Sequence, residues 1–232
     1  MKCFYLIFFL LIVAMMACNN RLEKKPVYVV DIESISEDNN FELEEVPEKI
    51  QQWLDFYHQY DSAFLLKNFK ASGVVLHLNE LKSLDTLTEI NKDLYPLFSF
   101  SPDKKKYIDI WSYGNLIPPD EMQPSKQKHS FNDGEADQQI VLGEQGGKRN
   151  EIMFNGPAQV VEAADWINNN QFLVTMFTEE ENEMVVEIYL FDLEKNVFTN
   201  FRLTHDFKLP QNKPQSFSDY WLEINKKHLD KR

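Results

Sequence analysis

From Tyr95 onward, apolar and polar positions alternate with a period of two, the mark of half-buried strands. Apolar runs at 96–100 and 107–113 flank Ser101-Pro102-Asp103-Lys104-Lys105, where Pro followed by Asp is turn chemistry, so a hairpin is expected. Segments 139–143 and 150–154 pair around Gly146-Gly147, and Asn155-Gly156 signals a tight turn. Four more strands follow at 159–167, 172–178, 184–192 and 197–203, parted by Asn-, Glu- and Lys-rich gaps at 168–170, 179–183 and 194–196. The pattern predicts two four-stranded antiparallel meanders, near 95–154 and 158–203. Within the second, Phe172, Val174 and Met176 point one way and Leu173, Thr175 and Phe177 the other. Likewise Val186, Ile188 and Leu190 oppose Val185, Glu187 and Tyr189. The first set of each strand should face the core, with the second only partly covered. Ile188→Asp should then unfold the domain and Glu187→Lys should be nearly silent.

The earlier part of the chain carries a different period. Ile50, Trp53, Leu54 and Tyr57 fall at i, i+3, i+4 and i+7, one helical stripe, with Pro47 suited to a first turn and Glu44, Glu45 and Glu48 near the positive end. A weaker helical pattern runs over 79–91 through Leu81, Leu84 and Leu87, after a strand at 74–78. Residues 27–32 read as a short strand and 33–45 as an acidic connection. A last helix is opened by Ser216 or Ser218, with Phe217, Trp221, Ile224 and His228 along one face and Lys226, Lys227, Lys231 and Arg232 crowding its end. The fold class is mainly β: antiparallel meanders, sandwich-like or open propeller-like, with a helix in the N-terminal half and a C-terminal helix covering a face or an edge.

The N-terminus stands apart. Residues 3–18 form an uncharged run of sixteen, shorter than the roughly 20 apolar residues that a membrane-spanning helix needs. Lys2 precedes it, and Asn19-Asn20-Arg21 end it, the layout of an export signal. Met15-Met16-Ala17-Cys18 resembles the lipobox of bacterial lipoproteins, although Met15 stands where that family usually has Leu. The resemblance implies lipid on the Cys18 thiol, cleavage before Cys18 and acylation of the new amine. Several acyl chains hold a protein on a membrane where one holds it only marginally. The expected organisation is a signal peptide at 1–17, the lipidated Cys18 with a polar tether over 18–26, and a single β-rich domain over 27–232.

Charge and cysteine content narrow the function. The full chain carries −13 at pH 7, and removing 1–17 takes one Lys and no acid, making the mature protein −14. Such a balance argues against nucleic acid, whose affinity rests on Lys and Arg against phosphate. With Cys3 in the signal and Cys18 at the anchor, the folded domain has no thiol, hence no disulfide, thiolate metal site or cysteine nucleophile.

Phe98-Ser99-Phe100-Ser101-Pro102-Asp103 is similar to the first hairpin of a bacterial β-propeller blade, with Lys104 where that turn usually has Gly, and Ile188-Tyr189-Leu190-Phe191-Asp192-Leu193 to a third strand and its turn. Two blades cannot close a ring that takes four to eight, so stacked or continuous sheets are expected.

No catalytic signature occurs: there is no Gly-x-Ser-x-Gly, phosphate loop or dinucleotide fingerprint. Three places carry candidate chemistry. Asp109, Trp111 and Tyr113 alternate on one strand face, an acid beside aromatics that would suit a sugar, their plainer role being core or surface packing. The loop around His129, Asp133, Glu135 and Asp137 offers an imidazole and three carboxylates but lacks the calcium-loop order, so no metal and no cofactor are assigned. The run 179–183 is an acidic hairpin tip suited to a basic envelope protein, its plainer role being a solvated turn. The expected function is a lipid-anchored cell-envelope binding or interaction protein without catalysis, with a basic protein or a glycan as partner. The alternatives are an envelope glycan hydrolase using paired acids such as Asp109 and Asp165, and a purely structural lipoprotein.

Overall fold

The computed structural model of the chain describes residues 29–35, 41–78, 81–84, 86, 90, 92–111, 137–180, 183–208 and 216–229. Among them are ten strands: β1 (Phe69–His77), β2 (Lys82–Ser83), β3 (Ser99–Phe100), β4 (Lys106–Asp109), β5 (Gln138–Glu144), β6 (Arg149–Asn155), β7 (Gln159–Trp166), β8 (Gln171–Glu180), β9 (Glu183–Asp192) and β10 (Val197–Leu203). Two helices accompany them, α1 (Glu48–His58) and α2 (Phe217–Leu229).

The strands form two antiparallel sheets, β1-β10-β9-β8-β7 and β2-β6-β5-β4-β3. Each contains one of the expected meanders, extended at one edge by a strand from earlier in the chain. The second sheet meets the first along β7, which β3 and β5 approach. A shared core joins them, with Val161, Trp166, Phe172, Val174 and Phe191 from the first sheet and Tyr107, Ile108, Ile140 and Leu142 from the second. Gly143, paired with Tyr107, lets that ring lie against the backbone: a Cβ there would fall 2.0 Å from a ring carbon.

The other face of the first sheet is covered by α1 and α2. Ile50, Trp53, Leu54 and Tyr57 of α1 are all buried, as their spacing requires, against Leu173, Phe177, Ile188 and Leu190. Phe217 begins α2 in the same core, whereas Ile224 on its expected inner face is exposed.

Two covered faces explain where the expected register goes wrong. Side chains of β8 alternate as predicted, but β9 pairs so that Ile188 lies opposite Thr175 and Glu187 opposite Met176. Phe172, Val174 and Met176 therefore face the second sheet, while Val186, Ile188 and Leu190 face the helices. Glu187 is only 2% exposed. It accepts from Arg202 Nε (2.9 Å), Asn200 Nδ2 (3.0 Å), Tyr189 Oη (3.0 Å) and Thr178 Oγ1 (3.2 Å). An acid on this strand marks a buried polar cluster rather than solvent.

Three local expectations also change. The pattern over 79–91 does not make a helix where it is described: Lys82–Ser83 is a strand on β6, and a 3-10 turn follows at Lys92–Leu97. The latter takes up the first two residues of the strand expected at 96–100, and β3 keeps the last two. Of the strand expected at 27–32, residues 29–31 are not in a sheet, and Ile32–Ser34 is a 3-10 turn. Lys104, at the position where the propeller-like turn has Gly, takes the left-handed conformation with φ 58°, which a side chain tolerates poorly.

Candidate functional site

The sugar-platform reading of Asp109 and Trp111 does not survive their burial. Asp109 is 0% exposed and Trp111 4%. Asp109 Oδ2 accepts from Arg149 Nη2 at 3.1 Å, and its Oδ1 accepts from Trp111 N at 2.9 Å. Arg149, on β6, is almost as enclosed, so this is an ion pair inside the second sheet. Burial pushes the neighbouring Tyr107 hydroxyl up to about 12, against the opposing effect of the Arg149 charge. Cys18, Tyr113, His129, Asp133 and Glu135 lie outside the described residues. Asp137 is half-buried just before β5. No group of three metal-ligating side chains occurs among the described residues.

Asp165 is also committed, to a role invisible in the strand pattern. β7 carries a bulge between Val161 and Ala163, where Glu162 is the extra residue. A bulge shifts the alternation by one, so Glu162 and Asp165, three residues apart, both serve the helix side. Asp165 Oδ2 accepts from Lys49 N at 3.0 Å, in the first turn of α1, whose preceding residue Pro47 offers no cap. Its Oδ1 accepts from Ser99 Oγ (2.8 Å) and Trp166 N (2.9 Å). Glu162 Oε2 accepts from Tyr57 Oη (3.0 Å) and Ser218 N (3.1 Å). The first N–H groups of α2 are thereby accounted for: Phe217 N donates to Tyr57 Oη, Ser218 N to Glu162 and Asp219 N to Ser216 Oγ. A carboxylate at each helix N-terminus meets free N–H groups and the positive end of the dipole. Burial, then the Glu162 charge, drives the Tyr57 hydroxyl far above its ordinary range. Of the two acids open to a catalytic reading, Asp165 caps α1 and Asp109 is held in the buried ion pair, and Asp109 is not among the residues lining the hollow beside Asp165.

A separate hollow lies at the far end of the first sheet. β10 pairs with β9 only as far as Glu187, so residues 183–186 of β9 have no partner strand on that side among the described residues. Beyond Leu203 the chain turns away: Thr204 N donates to Asn68 O at 3.0 Å, and His205 Nε2 lies 2.6 Å from Asp61 Oδ2. Burial opposes the charge on Asp61, yet the hydrogen bonds from His205 and Ala63 outweigh it and hold that carboxyl below its usual range. The result is a fork of about 520 Å³ between β9 and 204–208, with Met184, Val185, Leu203 and Phe207 in its walls. Glu183, Arg202, Asp206 and Lys208 line it, Glu179 and Glu180 are exposed on the neighbouring β8, and Arg202 ties Glu180 at 3.2 Å. The acids were legible as a hairpin tip; the unpaired edge was not, because it depends on where β10 leaves its neighbour.

No helix among the described residues is long and apolar enough to cross a membrane. Comparisons with protein-family models, with curated proteins and with solved structures return no match, so the reading of this site rests on its own geometry.

Proposed function

We propose that this chain is a lipid-anchored interaction protein of the cell envelope, held by Cys18, that takes an extended basic segment of a partner protein into the fork. The observation that carries the proposal is the stretch of β9 at 183–186, which pairs with β8 on one side and, among the described residues, with no strand on the other, next to the exposed Glu179, Glu180 and Glu183. An exposed strand edge presents N–H and C=O groups to which an extended peptide adds as a further strand. Glu179, Glu180 and Glu183 supply charge complementarity, which selects partners and speeds their approach more than it adds affinity. The overall charge of −13 acts in the same direction. A glycan hydrolase reading draws no support from Asp109 or Asp165, since both carboxylates are engaged in the core or at a helix end.

The test places a photo-crosslinking side chain at Val185 in the fork, and at Leu76 on β1 as an exposed control, in cells carrying the native Cys18. A basic protein captured at Val185 and not at Leu76, and lost on Glu180→Lys with Glu183→Lys, is the expected result. Equal capture at both positions, or capture indifferent to the two charge reversals, would overturn the fork as the contact. Fractionation of Cys18→Ser tests the anchor separately: the variant should leave the membrane or stay uncleaved.

A further inference from the structure

Lys49 occupies an unusual place for a cation. It sits in the first turn of α1, the positive end of the helix dipole, where an ammonium is disfavoured. The side chain is half-buried, and its Nζ lies 4.1 Å from the centre of the Trp221 ring, which Trp111 stacks at 6.5 Å and 13°. Asp165 is near, but its oxygens accept from Lys49 N, Ser99 and Trp166. Among the described residues Nζ makes no hydrogen bond or ion pair, only the contact with the ring. Beside it opens a hollow of about 290 Å³, with Phe98 and Phe100 on one side and Glu48, Gln52 and Asp165 on the other.

We propose that Lys49 is a reactive amine, and that this hollow admits small uncharged aldehydes to it. The nitrogen lone pair attacks the carbonyl carbon, a carbon–nitrogen bond forms, and the carbonyl oxygen takes up protons and leaves as water, giving an imine. Nothing is oxidised or reduced, and hydrolysis reverses the step. Phe98, Phe100 and Trp221 offer rings against which an apolar ring can lie, and Glu48 and Asp165 work against an anionic carbonyl compound. Burial lowers the Lys49 ammonium to about 8, with the Asp165 charge opposing only in part. At pH 7 roughly a tenth of such a lysine is free amine, against less than a thousandth of an ordinary one. The proposal is independent of the lipid anchor and of the fork.

The test uses the full folded chain without substitution. It is incubated with benzaldehyde and cyanoborohydride, which delivers hydride to an imine and leaves a stable secondary amine, and every lysine is followed by peptide mass mapping from pH 6 to 10. Lys49 is expected to label at least about tenfold faster at pH 7 than the exposed Lys70 and Lys104. Its rate should rise no further above about pH 8. Labelling of Lys49 no faster than of Lys70 and Lys104 overturns the proposal, as does an advantage that persists in concentrated urea, which would place its cause in local sequence and not in the hollow. Glyoxylate provides the anionic arm: it should label Lys49 more slowly than benzaldehyde, and the reverse order overturns the assignment to uncharged aldehydes.

Discussion

Asp109 and Arg149 lie 3.1 Å apart with almost no water around either, so each depends on the other. Removing one partner of a buried pair leaves an uncompensated charge, at about 3–5 kcal/mol, whereas replacing both by apolar groups of similar volume is often neutral. Asp109→Ala should therefore lower the urea midpoint sharply, and Asp109→Leu combined with Arg149→Met should recover most of the loss. A double variant as unstable as the single one would mean that the pair stabilises the fold beyond mutual neutralisation. Glu187 sets a second case. Its carboxylate accepts from Arg202, Asn200, Tyr189 and Thr178, so Glu187→Lys would place an ammonium among donors and beside a guanidinium. A loss of about 3 kcal/mol or more is expected in equilibrium unfolding, in place of the near-silence that an exposed strand position would give.

At the level of elements, one bulge in β7 decides how both helices dock. Asp165 caps α1 and Glu162 caps α2 because the extra residue at 162 brings both acids to the helix side. The two should not be equal in effect. Asp165→Ala frees Lys49 N, Ser99 Oγ and Trp166 N, but in a half-buried setting where water can replace the carboxylate, so a loss of the size of a cap, about 0.5–2 kcal/mol, is expected. Glu162→Ala leaves the Tyr57 hydroxyl and the Ser218 N–H, both in a buried setting, without their acceptor. Each such group adds roughly 1–3 kcal/mol, so Glu162→Ala should be the more damaging variant by denaturant midpoint. Equal losses would show that the Tyr57 contact adds nothing beyond capping.

For the molecule as a whole, cohesion comes from two apolar cores on either side of the first sheet and from no thiol after Cys18. Thermal midpoints with and without dithiothreitol should coincide, and a shift of several degrees would contradict the cysteine content. Acid acts through the segment that holds the fork open. The folded Asp61 carboxyl lies below its ordinary value of 3.8, so its pairing stabilises in full above that pH and is lost as pH falls through the folded value. Asp61→Asn should accordingly lower the midpoint at pH 6, with the gap to the native chain closing on titration toward pH 2. A gap that stays constant would show that the carboxylate charge is not what fastens His205.

The sequence alone determined the elements whose cause is local. The period-two runs with Asn, Glu and Lys gaps set the four strands of 158–203, and the stripe Ile50, Trp53, Leu54, Tyr57 set α1, because side-chain spacing and turn chemistry act within a few residues. Ser216 as the cap of α2 was legible for the same reason. Only the tertiary structure decided which face of a strand meets solvent. Alternation distinguishes two faces but cannot tell that both are covered, so Asp109 and Glu187 looked exposed and are buried. A helical spacing at Leu81, Leu84 and Leu87 is weak, and Lys82–Ser83 instead finds an open edge on β6. The fork and the Lys49 hollow belong to this second kind. One arises where β10 leaves β9 and Asp61 holds His205, the other where α1, α2, β7 and the turn before β3 converge, and contacts between residues more than a hundred positions apart leave no local trace in the chain.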